Sequence, residues 1–126
     1  MDIERIATME APTPAGHYSQ ATAFNGLLFV AGQIPVRADG SHRFDAPFED
    51  QARQALANML AIVRAGGSAP ERILKVNVYI VDIAHWPAFN RVYAELLGDA
   101  RPARAVIPVP ELHHGYLVEV DAIATR

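Results

Sequence analysis

The sequence contains no cysteine. That absence excludes disulfides, thiolate metal ligands and cysteine nucleophiles together. Positive charge is not in surplus either: 11 Lys and Arg stand against 14 Asp and Glu, a formal net charge of −3. The isoelectric point is about 5.9. Such a chain has no basic footprint for tracking phosphates, so nucleic acid is not expected as a partner. No apolar run approaches the ~20 residues of a membrane span. The opening M-D-I-E-R-I-A-T carries acids and no long apolar core, so it does not read as a secretory leader. Repeats, low-complexity tracts and interdomain linkers are missing too. The expectation is one domain over 1–126, cytoplasmic, with neither membrane nor nucleic acid as partner.

What the chain does have is clear punctuation. Ile3 to Ala7 reads as a short first strand, followed by the turn-rich A-P-T-P-A-G. Tyr18 to Phe24 and Leu27 to Ala31 flank Asn25-Gly26, the pair that favours a tight hairpin. A first helix starts near Ala46 or Pro47, with Asp45 as cap and Glu49 and Asp50 at its positive end. Its stripe is Phe48, Ala52, Ala55, Leu56, Met59 and Val63, and Gly66-Gly67 ends it. Ile73 to Val81 reads as a strand with Lys75, Asn77 and Tyr79 on one face and Val76, Val78 and Ile80 on the other. A second helix runs from near Ala84 to Gly98, with Trp86, Phe89, Val92, Tyr93, Leu96 and Leu97 as its core stripe. The last strands are Ala103 to Val109 and Tyr116 to Ala124.

The order is β-β-β-α-β-α-β-β, an α+β domain. Two amphipathic helices cover one face of such a sheet and leave the other open. On the last strand Val118, Val120, Ala122 and Ala124 point to the helices, while Leu117, Glu119, Asp121 and Ile123 lie on the open face. Arg104, Val106 and Pro108 share one face of the strand before it. A half-apolar open face in a small domain predicts packing against further copies of the chain. Arg104 is the one charge in the apolar stretch Ala103 to Val109. It either escapes to water, pairs with a structural acid such as Glu119 or Asp121, or receives an anion. The five histidines include the adjacent His113-His114, but no metal-binding spacing.

Six blocks in order carry a resemblance: F-V-A-G-Q-I-P-V, Q-A-R-Q-A-L-A-N-M-L-A-I-V-R-A-G-G, K-V-N-V-Y-I-V-D, F-N-R-V-Y-A-E-L-L, P-A-R-A-V-I-P-V and L-V-E-V-D-A-I-A. The chain resembles the Rid (YjgF) family of enamine/imine deaminases over nearly its whole length. The resemblance implies a chorismate-mutase-like fold, with a mixed β-sheet and two helices on one face. It also implies a homotrimer with a site in each cleft between subunits. The implied reaction is hydrolysis of 2-imino or 2-enamino acids, of the 2-iminobutanoate and 2-iminopropanoate type, to 2-keto acids and ammonia. No cofactor and no metal are implied. By the resemblance Arg104 binds the substrate carboxylate, Glu119 positions water, Tyr18 joins them as a catalytic residue that closes the pocket and donates a hydrogen bond, and Gly32 lines the site. Ala31 and Val106 stand where the family commonly has serine and cysteine, which predicts a more apolar pocket. The segment H-H-G-Y also departs from the family loop, so His113, His114 and Tyr116 are candidates for shaping specificity.

Those residue types suit the reaction. An arginine fork meets a carboxylate through two parallel hydrogen bonds. A protonated imine needs a positioned water more than a strong nucleophile, and a carboxylate can hold that water and move its proton. Other readings of the same sequence are a specialised deaminase of this fold, such as a 2-aminomuconate deaminase, and a trimer that binds small carboxylates or acts as a chaperone without turnover. RNA cleavage fits poorly with the negative net charge.

Overall fold

The computed structural model describes residues 2–126. Asn25 (φ 53°) and Gly26 (φ 80°) both take the left-handed backbone of a tight hairpin turn. They join β2 (Ala21–Phe24) to β3 (Leu27–Gln33), and β1 (Glu4–Ile6) lies antiparallel along the outer edge of β2. The chain continues through α1 (Phe48–Ala65), β4 (Ile73–Ile80), α2 (Trp86–Leu97), β5 (Ala103–Pro108) and β6 (Val118–Thr125). This is the expected order of elements.

The sheet runs β1-β2-β3-β6-β4-β5. The last strand therefore returns to the middle, antiparallel to both β3 and β4. Only β4 and β5 are parallel, and α2 connects them, because a parallel pair requires a crossover. The sheet is mixed, as expected, and its edges are β1 and β5.

All six residues of the expected α1 stripe are buried, together with Phe89, Val92, Tyr93 and Leu97 of α2. They pack on Leu28, Val76, Val78, Val118, Val120 and Ala122, which the strand period turns to that side. Each large side chain so buried contributes about 1.5–3 kcal/mol. The other sheet face has no helix on it. Phe29 is 43% exposed there and Ile107 39%. No helix among the described residues is long and apolar enough to cross a membrane.

Local departures from the sequence reading have physical causes. β2 begins at Ala21, not Tyr18. The Gln20 side chain bonds back to Thr8, Ala11 and Pro12, which holds residues 8–20 as a loop and leaves Tyr18 on it. Asp45 does not cap α1; extended Pro47 occupies the cap position, and Gln51 secures the turn through Ala46 O. A 3-10 turn at Ile83–His85 precedes α2, with Asp82 accepting from the Ala84 N–H, so α2 begins at Trp86. Trp86 is 39% exposed rather than core, because it sits on that first turn at the edge of the sheet. Another 3-10 turn, His113–Gly115, delays β6 to Val118.

Candidate functional site

Register places Glu119. Across the sheet it lies beside Tyr79 on β4, on the open face. On its other side the β3–β6 ladder skips: Val30 pairs with Ala122 and Gln33 with Val120. Ala31 and Gly32 together therefore oppose Asp121 alone, a β-bulge of the kind that re-aims backbone beside functional sites. The bulge lays Gly32 directly against the Glu119 carboxylate. A Cβ built on Gly32 would lie 2.1 Å from Glu119 Oε2, so no larger residue fits there without moving the acid.

Tyr18, Ala31, Gly32, Ile34, His113 and Glu119 line one cavity of about 290 Å³. Burial pushes the Glu119 carboxyl up from the ordinary carboxylate range; the charge of His113 pulls it down and that of Asp121 pushes it up further. Asp121 itself is committed to structure. It accepts from Asn77 Nδ2 at 3.0 Å and from the Tyr79 hydroxyl at 2.9 Å. Burial, then the Asp121 bond, pushes the Tyr79 phenol up. Tyr18 is half-exposed at the cavity mouth, and the Ala15 N–H donates to its hydroxyl oxygen at 3.4 Å.

A second cavity of about 340 Å³ adjoins the first, sharing Tyr18 and Gly32, with His42 and His114 on its wall. Tyr116 lines neither cavity. It is fully buried, and its hydroxyl lies 2.8 Å from His42 Nδ1. The His42 ring stacks on Phe44 at 4.8 Å and lies 4.8 Å from that of His114. Tyr116 thus anchors the H-H-G-Y loop from below, and His113 and His114 are the members that reach open space.

Arg104 is elsewhere. It pairs with Val76, whose side chain faces the helices, so Arg104, Val106 and Pro108 lie on the helix side and not with Glu119. The three residues share one face, as expected, and that face is the one the helices cover. Sequence period alone cannot say which face of an edge strand is which. Arg104 Nη1 donates to Asn90 Oδ1 on α2 at 3.1 Å. Its guanidinium carbon lies 4.7 Å from the Tyr93 ring centre and 6.0 Å from that of Trp86. Among the described residues no carboxylate pairs with it. It borders a groove of about 510 Å³ with Asn90, Tyr93, Leu97 and Arg101. The Tyr93 hydroxyl is buried without a hydrogen-bond partner. Val106 packs against the core beside this groove.

Sequence reasoning missed Asn90 and Tyr93 as neighbours of the arginine. Asn90 follows Trp86 by four residues and precedes Tyr93 by three, so it is a polar group on the flank of an apolar stripe. That interruption was the available signal. Among the described residues no three His, Asp or Glu come together as a metal site.

The chain thus carries a carboxylate-lined cavity on the open face and, apart from it, an arginine without a carboxylate partner on an edge strand. Comparison with known proteins gives the context. The family model described as "Endoribonuclease L-PSP" matches residues 8–126. A RutC family protein of Pyrococcus horikoshii is 40% identical over 123 residues, covering 98% of each chain. A 2-iminobutanoate/2-iminopropanoate deaminase of Dermatophagoides farinae is 36% identical, covering 94% of this chain and 92% of its own. The crystal structure of E. coli TdcF with bound serine superposes with a TM-score of 0.92 at 34% identity, over 98% of both chains. With the fold, the order of blocks and these likenesses in agreement, the chain belongs to the YjgF/Rid family.

Proposed function

We propose that this protein hydrolyses small 2-imino and 2-enamino acids to 2-keto acids and ammonia. We further propose that it works as a homotrimer in which Arg104 of one copy and Glu119 of the next form each site. The observation that carries the reading is the state of Arg104: a half-buried cation at a sheet edge, oriented by Asn90 and Tyr93, with no carboxylate partner among the described residues. Its remaining N–H groups are free to take a substrate carboxylate, a charge-assisted interaction of about 1.5–3 kcal/mol.

Topology supports the sharing between copies. Glu119 and Arg104 sit on opposite faces, two strands apart, roughly 10 Å in the hydrogen-bonding direction alone. A 2-imino acid has its carboxylate bonded directly to the imine carbon. One such molecule cannot touch both residues of one chain, whereas a cleft between chains can bring them to it. The half-apolar open face gives the copies something to bury against one another.

Within the cleft, Arg104 holds the carboxylate and so fixes the position of the imine carbon. Glu119 accepts a proton from the attacking water; a carboxyl shifted upward is a stronger base than an ordinary one once ionised. The Ala31 methyl and the Val106 side chain supply apolar walls that suit the methyl or ethyl group of iminopropanoate or iminobutanoate. Support also comes from the deaminase relative and from the amino acid bound in the E. coli structure.

The test generates 2-iminobutanoate with threonine dehydratase and traps it with semicarbazide. Added protein is expected to lower the trapped yield, and Arg104→Ala to raise KM about 10- to 100-fold. Unchanged trapping with the unaltered protein would end the reading. Binding of 2-keto acids without turnover would leave a carboxylate-binding trimer in its place.

A further inference from the structure

The acid–base cavity holds six residues, and only three of them, Tyr18, His113 and Glu119, carry a side-chain proton to move. Imidazoles change charge between about pH 5 and 8, whereas a phenol holds its proton to far higher pH. Besides Glu119, His113 is therefore the lining residue whose chemistry permits proton donation and recovery near neutrality, and it shares the cavity with the carboxylate that must accept a proton.

His113 is also held in place. It opens a 3-10 turn in which His114 (φ 62°) and Gly115 (φ 75°) both take the left-handed backbone. A histidine in that region is uncommon, and strained residues gather where a side chain must be aimed. Buried Tyr116, bonded to His42, secures the turn from one side. The Leu117 N–H, donated to Gln51 Oε1 at 2.9 Å, secures it from α1. His113 itself stays exposed while the turn that carries it is anchored on its C-terminal side.

We propose that His113 is a second catalytic residue, the general acid that protonates the departing nitrogen while Glu119 handles the attacking water. This rests on the imine-hydrolase reading. In the first step Glu119 takes a proton from water as its oxygen bonds to the imine carbon, and the C=N π pair moves to nitrogen, giving a carbinolamine. The imidazolium of His113 then gives its proton to that nitrogen. The C–N bond breaks with its electron pair leaving on ammonia, the oxygen lone pair forms the carbonyl, and the hydroxyl proton returns to His113. Ammonia takes the proton held by Glu119 and departs as ammonium, which restores both groups. Iminium plus water becomes keto acid plus ammonium, with atoms and charge balanced.

The titratable groups that line a cavity with His113 are Glu119 on β6 and Tyr18 from the loop before β2 on one side, and Glu111 and His114 of its own segment on the other; Asp121 and Tyr79 stand beyond Glu119 on the open face, and residues 31, 32 and 34 bring no charge. The charge of His113 pulls the Glu119 carboxyl down against burial, so the two side chains sense each other.

The experiment compares kcat of His113→Gln with that of the unaltered protein, both on 2-iminobutanoate, from pH 6 to 8.5. Taking the ratio at each pH cancels the protonation chemistry of the substrate. The ratio is expected to be about 1% at pH 6 and to climb towards higher pH, where an imidazole has no proton to give. KM is expected to stay within about twofold, because the carboxylate grip is elsewhere. His113→Asn serves as a second variant, and thermal unfolding identifies the variants that keep the fold. A ratio that is flat with pH, or close to one throughout, overturns the role of His113 and leaves the imine-hydrolase reading standing. Absence of turnover by the unaltered protein overturns both.

Discussion

Gly32→Ala tests whether the approach of the bulge to Glu119 matters to function or only to packing. The backbone of Gly32 is outside the left-handed region, so alanine can adopt it. The new Cβ would start 2.1 Å from Glu119 Oε2 and 3.1 Å from its Cδ, whereas ordinary contact begins at 3.4 Å. The carboxylate must therefore retreat by at least 1.3 Å, the difference between those limits. What moves is the end of a flexible side chain, costing about 0.5–1.5 kcal/mol for a displaced rotamer. Replacing glycine in a strand returns about 0.5–1 kcal/mol. Stability should change by less than about 1 kcal/mol, a few degrees in Tm. Activity should not be spared in the same way. A misplacement of about 1 Å in a catalytic group costs about 100-fold, or about 2.7 kcal/mol of transition-state stabilisation. The semicarbazide assay, run beside thermal unfolding, reads both quantities. A Gly32→Ala protein that keeps turnover within threefold would refute the placement of Glu119 at the reacting atoms. One that unfolds would show that the contact is structural.

Further predictions follow from other contacts. Burial raises the Glu119 carboxyl in the folded chain, so the folded state holds a proton that the unfolded state has already lost. Its stabilising effect is then complete below the ordinary carboxylate range and lost as pH rises through the shifted value. Glu119→Gln should accordingly melt higher than the unaltered protein at neutral pH and match it in acid; a constant offset would contradict the burial argument. Tyr116→Phe removes the hydroxyl bonded to His42 and should cost about 1 kcal/mol, roughly 4 °C in Tm. Phe29→Asp places a charge on the open sheet face and should give, in sedimentation, a folded monomer with no turnover. An active monomer would refute the shared site.

The hairpin, both helices and the succession of elements along the chain were readable because each depends on neighbours in sequence. Asn25-Gly26 sets its own turn, and the α1 stripe repeats every three or four residues. Arg104 and Glu119 were readable as chemical types for the same reason: a lone cation or acid in an apolar strand stands out wherever the strand lies. Their relation was not. Whether Arg104 shares a face with Glu119 depends on β4 lying between β5 and β6, and on Arg104 pairing with Val76, which the helices cover. The bulge that brings Gly32 to the carboxylate is equally a property of two strands, since one strand alone has no register to shift. Asn90 and Tyr93 come to lie beside Arg104 only because α2 crosses back over the edge strand.

The sequence by itself determined which groups are available: one isolated guanidinium, one carboxylate in an alternating strand, a glycine and a histidine pair, with no thiol among them. Local periodicity and turn chemistry act over a few residues, so these choices are settled before the chain folds. Only the tertiary structure decided that the acid–base cavity and the arginine lie on opposite sides of one sheet. Strand order and register arise from contacts between segments far apart in the chain, and no local pattern records them.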